Sequence, residues 1–282
     1  MKKNNLVLIT FDSCRYDSFM GAKTPNISRL GSAEKRYSFA SWTVPSHVVF
    51  LLGASPHTNP KGVFASEVYK KDFVNWGERL NIPDISFKGF VPRLSLPAFL
   101  REHGYKTNAL VSMPVLNQTT ILNQHFDRYQ LMKSHNDFSA IIDDLIFEQD
   151  QPSFYLLNIG ETHYPYTLPG ESGDDLPRIH GVHGVFKHLG DDTSEGFEKQ
   201  RALQAEDFFH LDKLLQLKEK QRQNVEYLDK LFEKLYDVCP KNTHFIVTAD
   251  HGECFGEEGY FGHGPVFHEK VFEVFFTEGR LK

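Results

Sequence analysis

The chain has 282 residues, 40% of them hydrophobic and 13% aromatic, enough to bury a large core within one domain. Its formal net charge of −6, without clusters of Lys and Arg, excludes a general binder of nucleic acid or other polyanions. The three cysteines, Cys14, Cys239 and Cys254, are too few and too scattered for a disulfide scaffold. The opening Met-Lys-Lys-Asn-Asn lacks the apolar stretch of a secretion signal, and no run approaches the ~18 residues of a membrane span, so a cytoplasmic protein is expected.

In chain order, the first predicted strand is Leu6 to Asp12, a β-branched and aromatic run that breaks off in a carboxylate. Thr43-Val-Pro-Ser-His47 precedes the apolar stretch Val48 to Leu52 and suits a helix start. Leu96 to His103 reads as a helix stopped by Gly104, and Lys106 to Ser112 as the strand that follows. A third strand covers Ser153 to Gly160. Residues from about Thr167 to Asp192 are rich in Gly, Pro, Asp and His and are expected to form an inserted loop or lid, followed by a polar helix from about Glu195 to Leu217. In Gln221 to Val238, the residues Val225, Leu228, Leu231, Phe232 and Leu235 recur at helical spacing, and Cys239-Pro240 ends the helix. Thr243 to Asp250 and Val271 to Thr277 complete the strands. The alternation predicts an α/β fold, a single domain over 1–282 with a mostly parallel sheet, helices on both faces and an insert at about 168–220.

Chemistry concentrates where strands end. Asp12 and the pair Asp250-His251 follow the first and fourth predicted strands, and in open α/β sheets that edge is where ligands bind. Two carboxylates and an imidazole suit a divalent cation, although each alone also suits a turn. Thr43 stands where a helix N-terminus would favour an anion, and it also suits a plain N-cap. Arg15 and Asp17 are expected to pair and brace the first loop; His57, Lys61, His180, His183 and His188 are read as loop residues. Cys14 and Cys254, each close to one of these segments, are read as small buried thiols.

Taken together, the segments resemble the sulfatase-like branch of the alkaline phosphatase and sulfatase superfamily. The resemblance rests on Asp12-x-x-Arg15-x-Asp17, Thr24-Pro-Asn-Ile-Ser-Arg-Leu30, Thr43-Val-Pro-Ser-His47, Leu100-Arg-Glu-His-Gly-Tyr-Lys-Thr107 and His125-Phe-Asp-Arg-Tyr129. It continues through Asn158-Ile-Gly-Glu-Thr-His-Tyr-Pro-Tyr166, Thr248-Ala-Asp-His-Gly-Glu253 and Gly262-His-Gly264. It runs from about 1 to 280 except near 168–220, and implies an alkaline phosphatase-like fold without the small C-terminal sheet subdomain of typical sulfatases.

The departures from the family pattern bear on chemistry. Thr43 replaces the Cys or Ser that sulfatases convert to formylglycine, His47 replaces an Arg, Ser13 replaces a second Asp, and His251 stands where calcium-binding members use Asn. An ordinary sulfatase is therefore not expected, and the ligand set leans toward one zinc or manganese ion, with magnesium and calcium as alternatives. The resemblance implies Asp12, Thr43, Asp250 and His251 as metal ligands, Thr43 as nucleophile, and His163, His263 and His47 facing the substrate, with His163 and His263 also catalytic. The implied function is a hydrolase or transferase of a phosphate or phosphonate ester through a phospho-threonine; a phosphomutase and a silent anion-binding member are the alternatives. The expected partner is a small anionic ester, with a homo-oligomer also compatible, and neither nucleic acid nor a membrane span is expected.

Overall fold

The computed structural model describes residues 2–58, 65–86, 93–178, 186–187 and 207–281. Among the described residues ten strands occur in chain order: β1 (Asn5–Phe11), β2 (Glu34–Tyr37), β3 (Lys106–Val111), β4 (Arg128–Leu131), β5 (Ser153–Ile159), β6 (Phe186–Lys187), β7 (Thr243–Ala249), β8 (Cys254–Phe255), β9 (Tyr260–Gly262) and β10 (Glu273–Gly279). Seven form one sheet in the order β2-β10-β7-β1-β5-β3-β4. β7, β1, β5, β3 and β4 run parallel, and β10 is antiparallel to β7 and to β2. This is the mostly parallel α/β sheet that the alternation predicts, with the apolar run of β1 at its centre.

Alternation along β1 divides the core between two layers. Val7, Ile9 and Phe11 pack with Val225, Leu228, Phe232 and Leu235 of a long helix, Leu211–Val238. Leu6 and Leu8 face the other way, onto Phe73, Trp76 and Leu80 of the helix Ala65–Leu80 and Phe99 and Leu100 of the helix Leu96–Glu102. Each of these side chains is nearly or fully withdrawn from water, a burial that stabilises by roughly 1.5–3 kcal/mol per large apolar side chain. The helix Leu96–Glu102 starts where Ser95 accepts a hydrogen bond from the Ala98 N–H, and it ends before Gly104, whose φ of +82° suits glycine.

Several boundaries differ from the expectations. Gln221 to Val238 belongs to one 28-residue helix that begins at Leu211; of the polar helix expected over Glu195 to Leu217, Asp207 and Phe208 are helical, the helix breaks at Phe209 and His210, Leu211–Leu217 begins the long helix, and 195–206 lies outside the described residues. The polar stretch Lys218-Glu-Lys-Gln-Arg222 looks like a gap in the apolar stripe, but it is a solvent face with one inward residue, Gln221. The last strand starts at Glu273 instead of Val271, because His268 caps the short helix Glu269–Phe272 by accepting from the Lys270 N–H. Of the expected insert, β6 pairs antiparallel with β9, which also pairs with β8. A third apolar cluster with Tyr166, Phe208, Leu214, Leu217, Phe255 and Phe261 accompanies this small sheet.

Candidate metal centre and active site

Because β1, β5 and β7 are adjacent and parallel, their carboxyl ends deliver Asp12, the Glu161–His163 loop and Asp250-His251 to one edge of the sheet. Asp12 donates its N–H to the Ile159 carbonyl at 2.8 Å, which holds the first turn to β5. Ser13 then adopts a φ of 60°, and its N–H donates to Asp250 Oδ1 at 3.1 Å. Thr43 is the first residue of the helix Thr43–Leu51, and its Oγ1 lies 3.5 Å from Asp12 Oδ1 and 3.3 Å from His251 Nε2. One ligand atom from each of Asp12, Asp250 and His251 falls within 4.8 Å of the other two, and all three residues are buried. The four residues implied as metal ligands thus converge from three distant segments.

The donor set fits a divalent cation. Asp250 Oδ2 is buried without a hydrogen-bond partner among the described residues, although His251 Nε2 is 3.5 Å away. Burial, and then the neighbouring Asp12 carboxylate, pushes the Asp250 carboxyl well above its usual range. Burial and the nearby His263 hold the His251 imidazole well below its usual range, so the ring is neutral. His251 Nδ1 donates to the Gly252 carbonyl at 2.8 Å, which leaves a lone pair on Nε2 facing Thr43 and the carboxylates. A Cβ on Gly252 would meet the Lys270 carbonyl oxygen at 2.2 Å, so only glycine allows this approach. Two oxygen ligands, one imidazole nitrogen and a hydroxyl suit zinc or manganese better than calcium.

A second layer of polar groups holds the first. Asn158 donates to Asp12 Oδ2 at 2.9 Å, while its own Oδ1 accepts from the N–H groups of Ser112 and Met113 at 3.3 and 3.0 Å. Asn158→Ala is therefore expected to weaken binding of manganese or zinc by about 10–100-fold in calorimetric titration; unchanged affinity would remove the orienting role. From the long helix, Gln221 donates to the carbonyls of Ser13 and Thr162, both at 3.0 Å, and Asn224 to those of Glu161 and Tyr166, at 2.6 and 2.7 Å. Sequence reasoning gave no role to Asn158, Gln221 or Asn224. The available signal is a polar residue on an apolar stripe: Asn158 in Phe154-Tyr-Leu-Leu-Asn-Ile159, and Asn224 beside Val225 and Leu228.

The imidazoles differ in orientation. His163 Nδ1 donates to the Tyr164 carbonyl at 2.7 Å, and its ring lies 5.1 Å from that of His263, which is 4.4 Å from that of His251. His47 is turned inward: its Nδ1 donates to the Thr43 carbonyl at 2.8 Å, its Nε2 lies 3.3 Å from Thr10 Oγ1, and it is 1% exposed. The structure places His47 beneath Thr43, away from the face expected of a substrate contact. Arg15 and Asp17 form a two-pronged ion pair at 2.8 and 2.7 Å, as their spacing predicts. His57 packs beside Tyr37 and Phe39, whereas Lys61, His180, His183 and His188 lie outside the described residues. Cys14 and Cys254 are buried free thiols whose titration burial pushes upward, Cys254 to about 12.

Glu161 accepts the Phe138 N–H at 2.7 Å through Oε1, and burial pushes its carboxyl from 4.5 up to about 7. A raised folded value means that Glu161 contributes stability fully below about pH 4.5 and that this contribution is lost as pH rises to about 7. Glu161→Gln keeps the acceptor and cannot ionise. Its stability relative to wild type, read from urea melts, should rise by up to about 3 kcal/mol across that window. A difference independent of pH would show that Glu161 does not titrate in the window.

The sulfatase family model matches residues 4–271, and the chain belongs to that family. No curated protein matches it in sequence. Its structure is similar to the C-terminal periplasmic domain of EptC from Escherichia coli in complex with zinc, at TM-score 0.58 and 12% identity, covering 100% of this chain and 74% of that one. It is similar to the periplasmic domain of the phosphoethanolamine transferase EptC from Campylobacter jejuni, at TM-score 0.53 and 14% identity, covering 99% and 80%. It is also similar to a sulfatase-like structure from Bacteroides thetaiotaomicron, at TM-score 0.58 and 13% identity, covering 99% and 65%. At these identities the likeness is one of fold. Among the described residues no helix is long and apolar enough to cross a membrane, and the expectation of a cytoplasmic protein stands apart from relatives that are periplasmic domains.

Proposed function

We propose that the protein is a metal-dependent hydrolase or transferase of a phosphate or phosphonate ester, working through a covalent phospho-threonine on Thr43. The observation that carries this reading is the Thr43 hydroxyl, held at a helix start within 3.5 Å of Asp12 and 3.3 Å of His251. Asp12, Asp250 and His251, with Thr43 Oγ1, would hold one zinc or manganese ion. When bound, such an ion lowers the pKa of an attached hydroxyl and neutralises anionic ester oxygens. Thr43 attacks phosphorus in line with the departing oxygen, and the free N–H groups at its helix start favour the anionic ester. His163 and His263 face the ester, stabilising its oxygens or protonating the leaving group, a role worth typically about 10²–10⁴-fold in rate. His47 holds the Thr43 turn by its hydrogen bond to the Thr43 carbonyl. Water or an acceptor alcohol then resolves the phospho-threonine.

A threonine cannot become formylglycine, which sets this site apart from sulfate ester hydrolysis by the usual family route. The relatives include both phosphoethanolamine transferases and sulfatases, in keeping with a shared ester chemistry. The test is a panel of 4-nitrophenyl phosphodiester, phosphonate monoester and sulfate, assayed with manganese or zinc and again with chelator. Metal-dependent turnover of a phosphorus ester is expected. Turnover of the sulfate ester alone, or phosphate binding with no turnover and no bound metal, would overturn the reading.

A further inference from the structure

We propose that Glu253 is the positioning residue of His263, a buried carboxylate that fixes the imidazole so that Nε2 is presented to the leaving oxygen of the ester. The proposal deepens the function proposed above and rests on it for the reaction, but its structural half stands alone. Glu253 is fully buried. Its Oε1 accepts two hydrogen bonds, from the Tyr166 hydroxyl at 2.7 Å and from Gln221 Nε2 at 2.8 Å. Oε2 has no hydrogen-bond partner among the described residues and lies 3.7 Å from His263 Nδ1. Burial pushes the Tyr166 phenol well above its usual range, so this group is a fixed donor. Tyr166 and Gln221 therefore occupy one oxygen and turn the other toward the imidazole. An orphaned carboxylate oxygen in the interior is costly, and among the described residues its ion-pair contact is His263.

The second neighbour of Nδ1 leads to the same hydrogen placement. Ser13 Oγ donates to Asp12 Oδ1 at 3.2 Å, so it offers a lone pair to His263 Nδ1, also at 3.2 Å. Both groups beside Nδ1 are acceptors, which puts a hydrogen on Nδ1 and leaves Nε2 for the ester. Gly264 N–H donates to the Ser41 carbonyl at 3.1 Å, two residues before Thr43, which ties the backbone beside His263 to the loop that leads to the nucleophile. Nucleophile and imidazole are thus fixed to a common loop.

In the reaction this placement balances as follows. The bond from Thr43 Oγ1 to phosphorus forms and the bond from phosphorus to the leaving oxygen breaks, Thr43 having released its proton to solvent. His263 enters the step as the imidazolium, its Nε2 having taken a proton from solvent as Thr43 released its own; that Nε2 hydrogen passes to the leaving oxygen, which departs as an alcohol, and the ring keeps the hydrogen on Nδ1 facing Glu253. In the second half, the incoming water or alcohol gives its proton to Nε2 as its oxygen bonds phosphorus and the Thr43 bond breaks.

The experiment compares wild type, Glu253→Gln and Glu253→Asp on two phosphodiesters that differ only in leaving group, 4-nitrophenol and an unactivated alkyl alcohol. Glu253→Gln is expected to lower kcat about 10–100-fold on the alkyl ester with KM nearly unchanged, and no more than about threefold on the 4-nitrophenyl ester, which leaves without a proton. Glu253→Asp, which restores the charge, should recover part of the alkyl-ester rate. Equal losses on both esters, or no loss, would overturn the proposal and mark Glu253 as a tie between Tyr166 and Gln221 only. A readout without turnover uses ¹⁵N NMR of the wild-type protein, where His263 should carry a hydrogen on Nδ1. A neutral ring with its hydrogen on Nε2 alone overturns the proposal even if the variants fail to fold. Should the wild type cleave neither ester, the functional reading fails while the NMR result still decides the positioning claim.

Discussion

Thr43→Ala is expected to reduce turnover of the preferred ester by about 10³-fold or more, the scale of losing a covalent nucleophile. The substitution removes one hydroxyl at the start of the helix Thr43–Leu51 and leaves Asp12, Asp250 and His251 in place. Metal affinity should weaken with the loss of one of four holding groups, but metal supplied to saturation should restore occupancy while the rate stays collapsed, which separates loss of the nucleophile from loss of the site. Thr43→Ser retains an oxygen in the same position and should keep measurable activity. Mass spectrometry of wild-type protein quenched during turnover should find a phosphoryl group on Thr43 and none in the alanine variant. A variant that turns over at the wild-type rate would remove the phospho-threonine route altogether.

Asp250→Asn should reverse its effect on stability according to whether metal is bound. In the wild type, burial and then the neighbouring Asp12 carboxylate make Asp250 hold its proton well above the usual range. Asparagine keeps the acceptor for the N–H groups of Ser13 and His251 at 3.1 and 2.9 Å. It also offers an N–H where Oδ2 lies, 3.5 Å from the His251 Nε2 lone pair. Without metal the variant should therefore be as stable as wild type or more so, by about 1–2 kcal/mol. With metal at about 100 times its Kd the wild type should gain about 2.7 kcal/mol, a rise of roughly 5–10 °C in Tm, and the variant should gain little. Calorimetric melts with chelator and with manganese or zinc read both signs. An equal metal-induced rise in the two proteins would mean that Asp250 is not a ligand.

Much of this site is legible in the sequence because its parts sit at strand ends. A β-branched run that stops in Asp12, and another that stops in Asp250-His251, locate the three candidate ligands and the sheet edge that holds them. What escapes is the polar support inside the fold. Gln221, Asn224 and Asn158 look like ordinary polar residues, since a single sequence does not say which polar side chain a helix turns inward or which amide a strand aims at a carboxylate. His47 misleads for a related reason: a histidine four residues after Thr43 bonds back to its carbonyl along the helix. β2 and β4 are also missed, being four-residue edge strands of Glu-Lys-Arg-Tyr and Arg-Tyr-Gln-Leu without the apolar run that marks their neighbours.

The long helix that carries Gln221 and Asn224 also limits how this chain can vary. One residue inserted between Leu217 and Gln221 would rotate every later side chain by about 100° relative to the earlier ones. Either Leu214 and Leu217 would leave the cluster with Tyr166, Phe255 and Phe261, or Gln221 and Asn224 would turn away from the loops after β1 and β5, and Val225, Leu228 and Phe232 from the sheet. Length is therefore locked from Leu217 to Leu235 while the outward positions stay free to drift. Natural insertions and engineered fusions should be rejected within that helical phase.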